Sequence, residues 1–428
     1  MKNFLKRASV YIIIMIFAAA VIFGANYYYG QKIAEDVKAE IREAAAANNY
    51  QLRSIDVASN PLLQKIDIKN LNLSQADQFN LIINQAEINF GWRQILNYIR
   101  NQDFELDKNL NSNIGQIRFS NLNENYQLNF QEAELHYLGN LTEEMFLAFK
   151  NDNNLQPLLD NDHQLNFTAA ELKYNFPYYR SYGLTDEAWA RLSTFNNFFL
   201  RADYDKEQRN FKLKEFNLNS ELLTLIYNFD SIIDYNDQNQ QIIFEELKGD
   251  YDFHLTAEDL EFEANNFYQD LRFKQFDFNG SFDLSNLNDL VRANQLDFNL
   301  KLTEFKLVLA EILAQQLNQN SFGILAENNQ FEILINSFSY QQQYSHPNGS
   351  SQSKLDSSML LADLTAEYNY TEEIPYISSA ELKYKPQTAK AEQLNSFLQL
   401  VLNEQISRNE DGFYVIKFWG PIDDLSLE

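Results

Sequence analysis

With 428 residues the chain is long enough for two or more ordinary domains or one elongated repeat-built body, and 34 Phe and 24 Tyr against 12 Gly and 7 Pro exclude a disordered or collagen-like chain. A net charge of -26 argues against a nucleic-acid backbone or an anionic lipid surface as the main partner of the body. The absence of cysteine removes disulfides, thiolate metal sites and cysteine nucleophiles together.

Residues 10–29 (VYIIIMIFAAAVIFGANYYY) carry no charge over the ~20 residues a helix needs to cross a hydrocarbon core. They read as a signal anchor, with residues 1–9 as a cytoplasmic stub. Lys2, Lys6 and Arg7 precede the run, so the positive-inside bias puts the N-terminus inside and the body outside a bacterial cytoplasmic membrane. A cleaved signal peptide, cut near Ala18-Ala19-Ala20, is the competing reading. Residues 30–50 are rich in Ala, Glu and Lys and place Ile33, Val37 and Ile41 on one side, which predicts an amphipathic stalk helix.

From Leu62 the apolar period changes from helical to twofold, within an elongated β-rich body assigned to 51–428. One rhythm recurs: apolar residues alternate, skip one place, and alternate again. Residues 127–137 (QLNFQEAELHY) and 164–174 (QLNFTAAELKY) carry it in nearly the same letters. Other copies run Ile66, Ile68, Leu71, Leu73; Leu81, Ile83, Ala86, Ile88; Phe211, Leu213, Phe216, Leu218; Phe273, Phe276, Phe278; Phe298, Leu300, Leu302, Phe305; and Ile333, Ile335, Phe338. A skipped place throws every later apolar residue onto the wet face unless something absorbs it. The skipped pairs are Lys69-Asn70, Gln131-Glu132, Thr168-Ala169, Lys214-Glu215 and Lys274-Gln275. None has the Asn-Gly or Asp-Gly chemistry of a tight hairpin, so β-bulges or sheet corners are expected.

The expected fold is therefore α+β, predominantly antiparallel β: a long curved, bulged sheet with flanking helices behind a transmembrane helix. Its concave face is expected to be lined by Leu128, Phe130, Leu135, Tyr137, Leu165, Phe167, Leu172, Tyr174, Phe211, Leu213, Phe273, Phe276, Phe278 and Phe298. Helical spacing marks residues 92–102, 141–150, 184–199, 287–294 and 389–406, with 221–229 and 309–317 open to either helix or strand. Thr142 and Thr185 are expected N-caps. Residues 345–358 (SHPNGSSQSKLDSS) read as a flexible loop or hairpin tip.

The charged start, the uncleaved span with its aromatic-glycine exit at 27–30, and the amphipathic helix beginning Gln31-Lys32-Ile33 resemble the YdgA-type family of single-pass bacterial envelope proteins. The closing GFYVIKFWGPIDD at 412–424 and KIDIKNLNLS at 65–74 resemble the related AsmA-type proteins. That resemblance implies a taco-shaped β-groove holding or conducting lipid beside the inner membrane. Neither motif is catalytic, and no functional residue carries over.

No phosphate loop, GxSxG, HExxH or Cys/His zinc spacing occurs. The four histidines stand apart, and His136 and His254 occupy wet places between strand apolar residues. Asp160, Asp162 and His163 lack the glycine and closing glutamate of a calcium loop. Glu245-Glu246 and Asp423-Asp424 are adjacent and so expected on opposite faces, and Trp92, Trp189 and Trp419 read as packing anchors. The expectation is a non-enzymatic protein without metal or cofactor, partnered by the inner membrane through residues 10–29 and by phospholipid or another long apolar ligand. The alternative is a structural or interaction module with a closed apolar core; an enzyme acting on envelope polymers is the remote one.

Overall fold

The computed structural model describes residues 2–47, 49–75, 79–101, 109–121, 126–139, 155–176, 178–236, 241–257, 260, 262–284, 293–320, 331–370, 375–402, 406–422 and 424–427. The helix expected over 141–150, its cap Thr142, and most of the one over 287–294 lie outside these residues. The chain forms two compact units. The first holds Met1–Leu147, Asn161–Phe176 and Asn197–Phe199; the second holds the remainder.

In the first unit α1 (Lys2–Ala47) is one unbroken helix, not a span and a separate stalk. Gly24 and Gly30 lack a proline's power to end it. The side chains of residues 2–22 lie outside the description, and among the described residues no helix is long and apolar enough to cross a membrane. Ile33 and Ala45 are buried and Val37 and Ile41 half-buried, so the expected stripe is the packed face. It covers β1 (Gln51–Asn60), and it comes close because residue 30 is glycine: a Cβ there would stand 2.5 Å from the Ser59 carbonyl oxygen. A one-turn 3₁₀ helix, Pro61–Leu63, leads into β2 (Lys65–Gln75) and β3 (Phe79–Asn89).

Next comes α2 (Trp92–Asn101), where Gln94 Oε1 accepts from the Gly91 amide at 2.6 Å and closes the first turn. The antiparallel meander continues through β4 (Asn109–Asn121), β5 (Tyr126–Gly139) and β6 (His163–Asn175).

The skipped places align from strand to strand. Lys69 faces Gln85 and Leu71 faces Ile83 with no change of register. Ile83 and Ala86 likewise face Ile117 and Ile114, Gln116 and Ile114 face Gln131 and Ala133, and Gln131 and Ala133 face Glu171 and Ala169. Each strand's extra residue meets an extra residue on its neighbour, so these are not two-against-one bulges. They stack into a crease crossing β2 to β6. In β6 the skipped pair is Ala170-Glu171, since Ala169 pairs with Ala133 and is buried; this corrects the expected Thr168-Ala169. At the crease Asn70 and Glu132 take φ of 53° and 49°. One left-handed residue in an extended chain turns the following side chains back to the original face, which is how the apolar pattern survives the skip.

β7 (Thr194–Asp205) is a strand from its first residue, where helix was expected to residue 199. Its Phe195-Asn-Asn-Phe198 run is another copy of the skip, with both phenylalanines buried and Asn197 at φ 57°. Only α4 (Asp186–Ser193) is helical there, capped by Thr185 as expected, and it follows the single turn α3 (Gln156–Leu159).

In the second unit β8 (Asn210–Asn219), β9 (Leu223–Asn236) and β10 (Gln241–Thr256) form a meander, and β9 takes the open 221–229 as strand. Lys214-Glu215 is a true bulge, two residues facing Asn228, because the register slips between Leu213 and Phe216. β12 (Gln275–Leu284) pairs with β10 and β13 (Ala293–Leu309), while β11 (Tyr268–Arg272) continues β12 along β13. Glu304 turns left-handed, φ 50°, opposite the β11–β12 break.

After α5 (Glu311–Asn320) the meander runs β14 (Glu332–Ser345), β15 (Asn348–Ser357), β16 (Leu360–Asn369), β17 (Tyr376–Pro386), α6 (Ala389–Leu402), β18 (Tyr414–Pro421) and the short β19 (Ser426–Leu427). The supposed loop at 345–358 is thus mostly β15, held by partners on both sides. Among the described residues every strand pairing is antiparallel, and within each unit no pairing closes the meander into a barrel.

Candidate functional site

Directly opposed residues of antiparallel strands lie on one face, so the registers decide which side chains share it. In the first unit Leu71, Ile83, Ile117, Phe130 and Leu172 form one cross-strand row. Beyond the crease Ile68, Ala86, Ile114, Ala133 and Ala169 form the next. Leu128 pairs with Tyr174, Leu135 with Phe167 and Tyr137 with Leu165, so the expected set of eight is brought to one face. Phe130 and Phe167 come from opposite sides of the crease, yet their rings meet edge-to-face at 5.3 Å; Phe198 meets them at 5.6 and 5.8 Å. Ala133 and Ala169, paired on the same face, are buried.

In the second unit Leu218, Leu225, Phe253, Phe278, Leu300 and Tyr340 make one row that passes Ser353 and continues through Leu364, Leu382 and Ile416. Phe211 packs on Phe229 at 5.5 Å and Leu213 pairs with Phe229; Phe276 meets Phe253 at 5.8 Å; Phe298 touches Phe278 at 5.6 Å and Tyr340 at 4.9 Å. Gly280 sits between Tyr251 and Phe298, and a Cβ on it would stand 2.1 Å from the Asp297 carbonyl and 2.7 Å from the Tyr251 hydroxyl. Glycine here makes room for its neighbours' rings. Burial pushes the Tyr368 and Tyr384 hydroxyls up to about 12 and raises those of Tyr137, Tyr227, Tyr251 and Tyr340, as an apolar surround does to a group that must ionise.

Of the fourteen expected lining residues only Leu172 and Leu213 are fully buried; the rest are half-buried. Helices cover parts of the face. Ala188 of α4 packs with Leu222, Ala257 and Leu260, and Phe273 lies against that cluster. Asn395 of α6 accepts the Tyr384 hydroxyl at 2.5 Å. Tyr227, Phe229, Tyr251 and Phe282 also belong to the face; their alternation was present, but apolar neighbours such as Ile226 and Leu225 on both phases hid it.

The opposite face is polar and salt-laced. Lys212, Asp230, Lys248 and Asp283 form a cross-strand ladder, with Lys212–Asp230 at 3.0 Å and Lys248–Asp283 at 3.4 Å, beside an open cavity of about 450 Å³. Gln341, Gln352, Thr365, Glu381 and Lys417 line another of about 510 Å³. His254 reaches Asp277 with Nδ1 and Thr256 Oγ1 with Nε2 at 2.9 Å. In that order of hydroxyl, imidazole and carboxylate, the Thr256 amide already donates to the Leu222 carbonyl at 2.8 Å and so is not a donor for an oxyanion.

Glu245 and Glu246 meet different cations, Arg209 and Lys248, at 3.6 and 3.7 Å. Asp423 lies outside the described residues. Among those described, no three His, Asp or Glu side chains gather as for a metal. Trp189 stacks on Tyr179 at 5.1 Å, but Trp92 and Trp419 are exposed, so those two are not packing anchors. No family model, curated protein or solved structure matches the chain.

Proposed function

We propose that the chain is a membrane-anchored extracytoplasmic protein that binds or helps move lipid, or another long apolar ligand, along the apolar β-face of its units. The observation that carries this reading is the state of that face. Phe130, Phe167, Phe276 and Phe278 lie in mostly apolar cross-strand rows, and Phe298 packs beside Phe278 and Tyr340, yet all five stay half-buried, leaving apolar area that an acyl chain could cover. The anchor is residues 10–29 of α1, read from their hydropathy and from the cations before them. The likeness to YdgA-type and AsmA-type envelope proteins supports the same reading and remains a resemblance.

A second reading, a non-catalytic interaction module of the envelope, is favoured by the open cavities on the polar face. One experiment separates them. Phe130→Asp and Phe167→Asp in the full chain should abolish co-purification of phospholipid, read by native mass spectrometry, while circular dichroism stays unchanged. Loss of the fold would point to a closed core, and a wild-type protein that carries no lipid and ignores added phospholipid would refute the groove.

A further inference from the structure

Three separately encoded apolar surfaces meet at one end of the first unit. On α1, Phe23, Tyr27 and Tyr28 are exposed at the C-terminal end of the apolar run. The 3₁₀ turn exposes Leu63, and its Leu62 amide donates to Asn26 Oδ1 of α1 at 2.8 Å, which fixes the turn at the level of those aromatics. On α2, Ile95 and Tyr98 are buried while Trp92, Leu96 and Ile99, spaced four and three apart, face outward. The Tyr98 hydroxyl donates to Asp36 of α1 at 2.5 Å, and the Lys32 ammonium lies 5.9 Å from the Tyr98 ring centre.

The outward stripe has a basic rim: Arg93 and Arg100 are exposed beside it, and α2 (WRQILNYIRN) contains no acidic residue in a chain of net charge -26. An apolar stripe with tryptophan, flanked by arginines that can snorkel to phosphate, is the pattern of a helix lying in the headgroup layer. One to three residues of helix separate Asn26 from Phe23, Tyr27 and Tyr28, a rise of roughly 2–5 Å, and the Phe90 amide donates to the Gln64 carbonyl at 2.9 Å, so the turn and the Trp92 end of α2 stand near the depth of those aromatics.

We infer that α2 and the 61–63 turn form a collar that docks on the phospholipid headgroup layer around the emerging α1. The inference rests on reading residues 10–29 as the anchor. A collar of this kind would hold the first unit against the bilayer, not let it swing on a free stalk.

The native chain has no cysteine, so single cysteines report cleanly. Three full-length variants, Ala19→Cys, Leu96→Cys and Asn97→Cys, carry an environment-sensitive fluorophore and are reconstituted in phosphatidylethanolamine–phosphatidylglycerol vesicles. Lipid-borne quenchers should dim the labels at 19 and 96, and aqueous iodide should dim the label at 97, which lies on the polar side of α2. Adding Arg93→Glu and Arg100→Glu should return the label at 96 to iodide while the label at 19 stays in lipid. A label at 96 that iodide quenches, or that neither quencher reaches, while 19 is in lipid overturns the collar and leaves the anchor standing. A label at 19 quenched by iodide overturns the anchor, and the collar with it.

Discussion

A pair of glycine-to-alanine changes tests the two-faced sheet most sharply, because the same added methyl should act with opposite sign at two strand positions. At Gly280 the new Cβ would stand 2.1 Å from the Asp297 carbonyl oxygen and 2.9 Å from Phe298 Cα. Those are backbone atoms of β13, so relief requires β12 and β13 to part where they are hydrogen-bonded. Overpacking costs about 1–3 kcal/mol and a weakened ladder bond about 1 kcal/mol more, against the ~0.5–1 kcal/mol that alanine gains over glycine in an extended segment. The net expectation is a loss of about 1–3 kcal/mol. At Gly115, on the crease, the nearest atom is Gln85 Cβ at 3.6 Å, an ordinary contact, so Gly115→Ala should keep the gain of ~0.5–1 kcal/mol. Hydrogen exchange resolved by strand is the assay, since two units need not unfold together. Amides of β10, β12 and β13 should exchange about 5-fold to 150-fold faster in Gly280→Ala, and those of β3 to β5 no faster in Gly115→Ala. Equal effects at both sites would refute the claim that neighbouring rings and backbone occupy the place of a side chain at Gly280.

Glu132→Gly and Glu304→Gly relieve left-handed residues at φ 49° and 50° and should stabilise by about 0.5–1 kcal/mol in urea denaturation, while Glu132→Val should destabilise by at least about 1 kcal/mol. Asp270 is held below its ordinary value by the hydrogen bond from Lys306, with Arg272 adding to it. Its folded pKa is depressed, so its contribution is present above the unfolded value of 3.8 and is lost as pH falls through the folded one. Carboxyl NMR should follow it titrating below 3.8, and Asp270→Asn should flatten that part of the acid-stability curve. The Tyr368 phenol should ionise near 12 in an ultraviolet titration, and Gln342→Ala, which removes the amide that donates to its hydroxyl at 2.7 Å, should not lower that value, because burial is the main cause and the lost hydrogen bond acted to lower it.

Alternation and the skipped place were legible because each is a property of one strand. Leu128, Phe130, Leu135 and Tyr137 could be put on one face from their own spacing, and α2, α6 and the Thr185 cap from theirs. Alignment of the skips into a crease was not legible, since it depends on which residues face each other and no single strand encodes that. Polar letters also misled at β15: Ser351 and Ser353 sit in the apolar rows, opposite Gln342 and Tyr340, where long neighbours do the covering. The 184–199 run misled the other way. Trp189 and Leu192 fit a helix and Phe195 and Phe198 fit its spacing too, but a strand with one left-handed asparagine produces the same interval of three.

The charge of the chain bears on which end can meet a membrane. A body this acidic is repelled by an anionic leaflet, and over the ~8 Å reach of charge in physiological salt only the nearest groups count. At the collar Arg93 and Arg100 are exposed on α2, with Lys32 and the Tyr98-bound Asp36 of α1 behind them, whereas the polar sheet faces carry Asp and Glu in ladders that their lysines only partly balance. If the collar docks as proposed, repulsion elsewhere and attraction at α2 act in the same sense. Arg93→Glu with Arg100→Glu should therefore do more than weaken contact: in anionic vesicles the label at residue 96 should leave the lipid, and in neutral phosphatidylcholine vesicles it should largely stay, because the apolar stripe of Trp92, Leu96 and Ile99 is untouched. Release from both kinds of vesicle alike would mean that charge does not set the orientation.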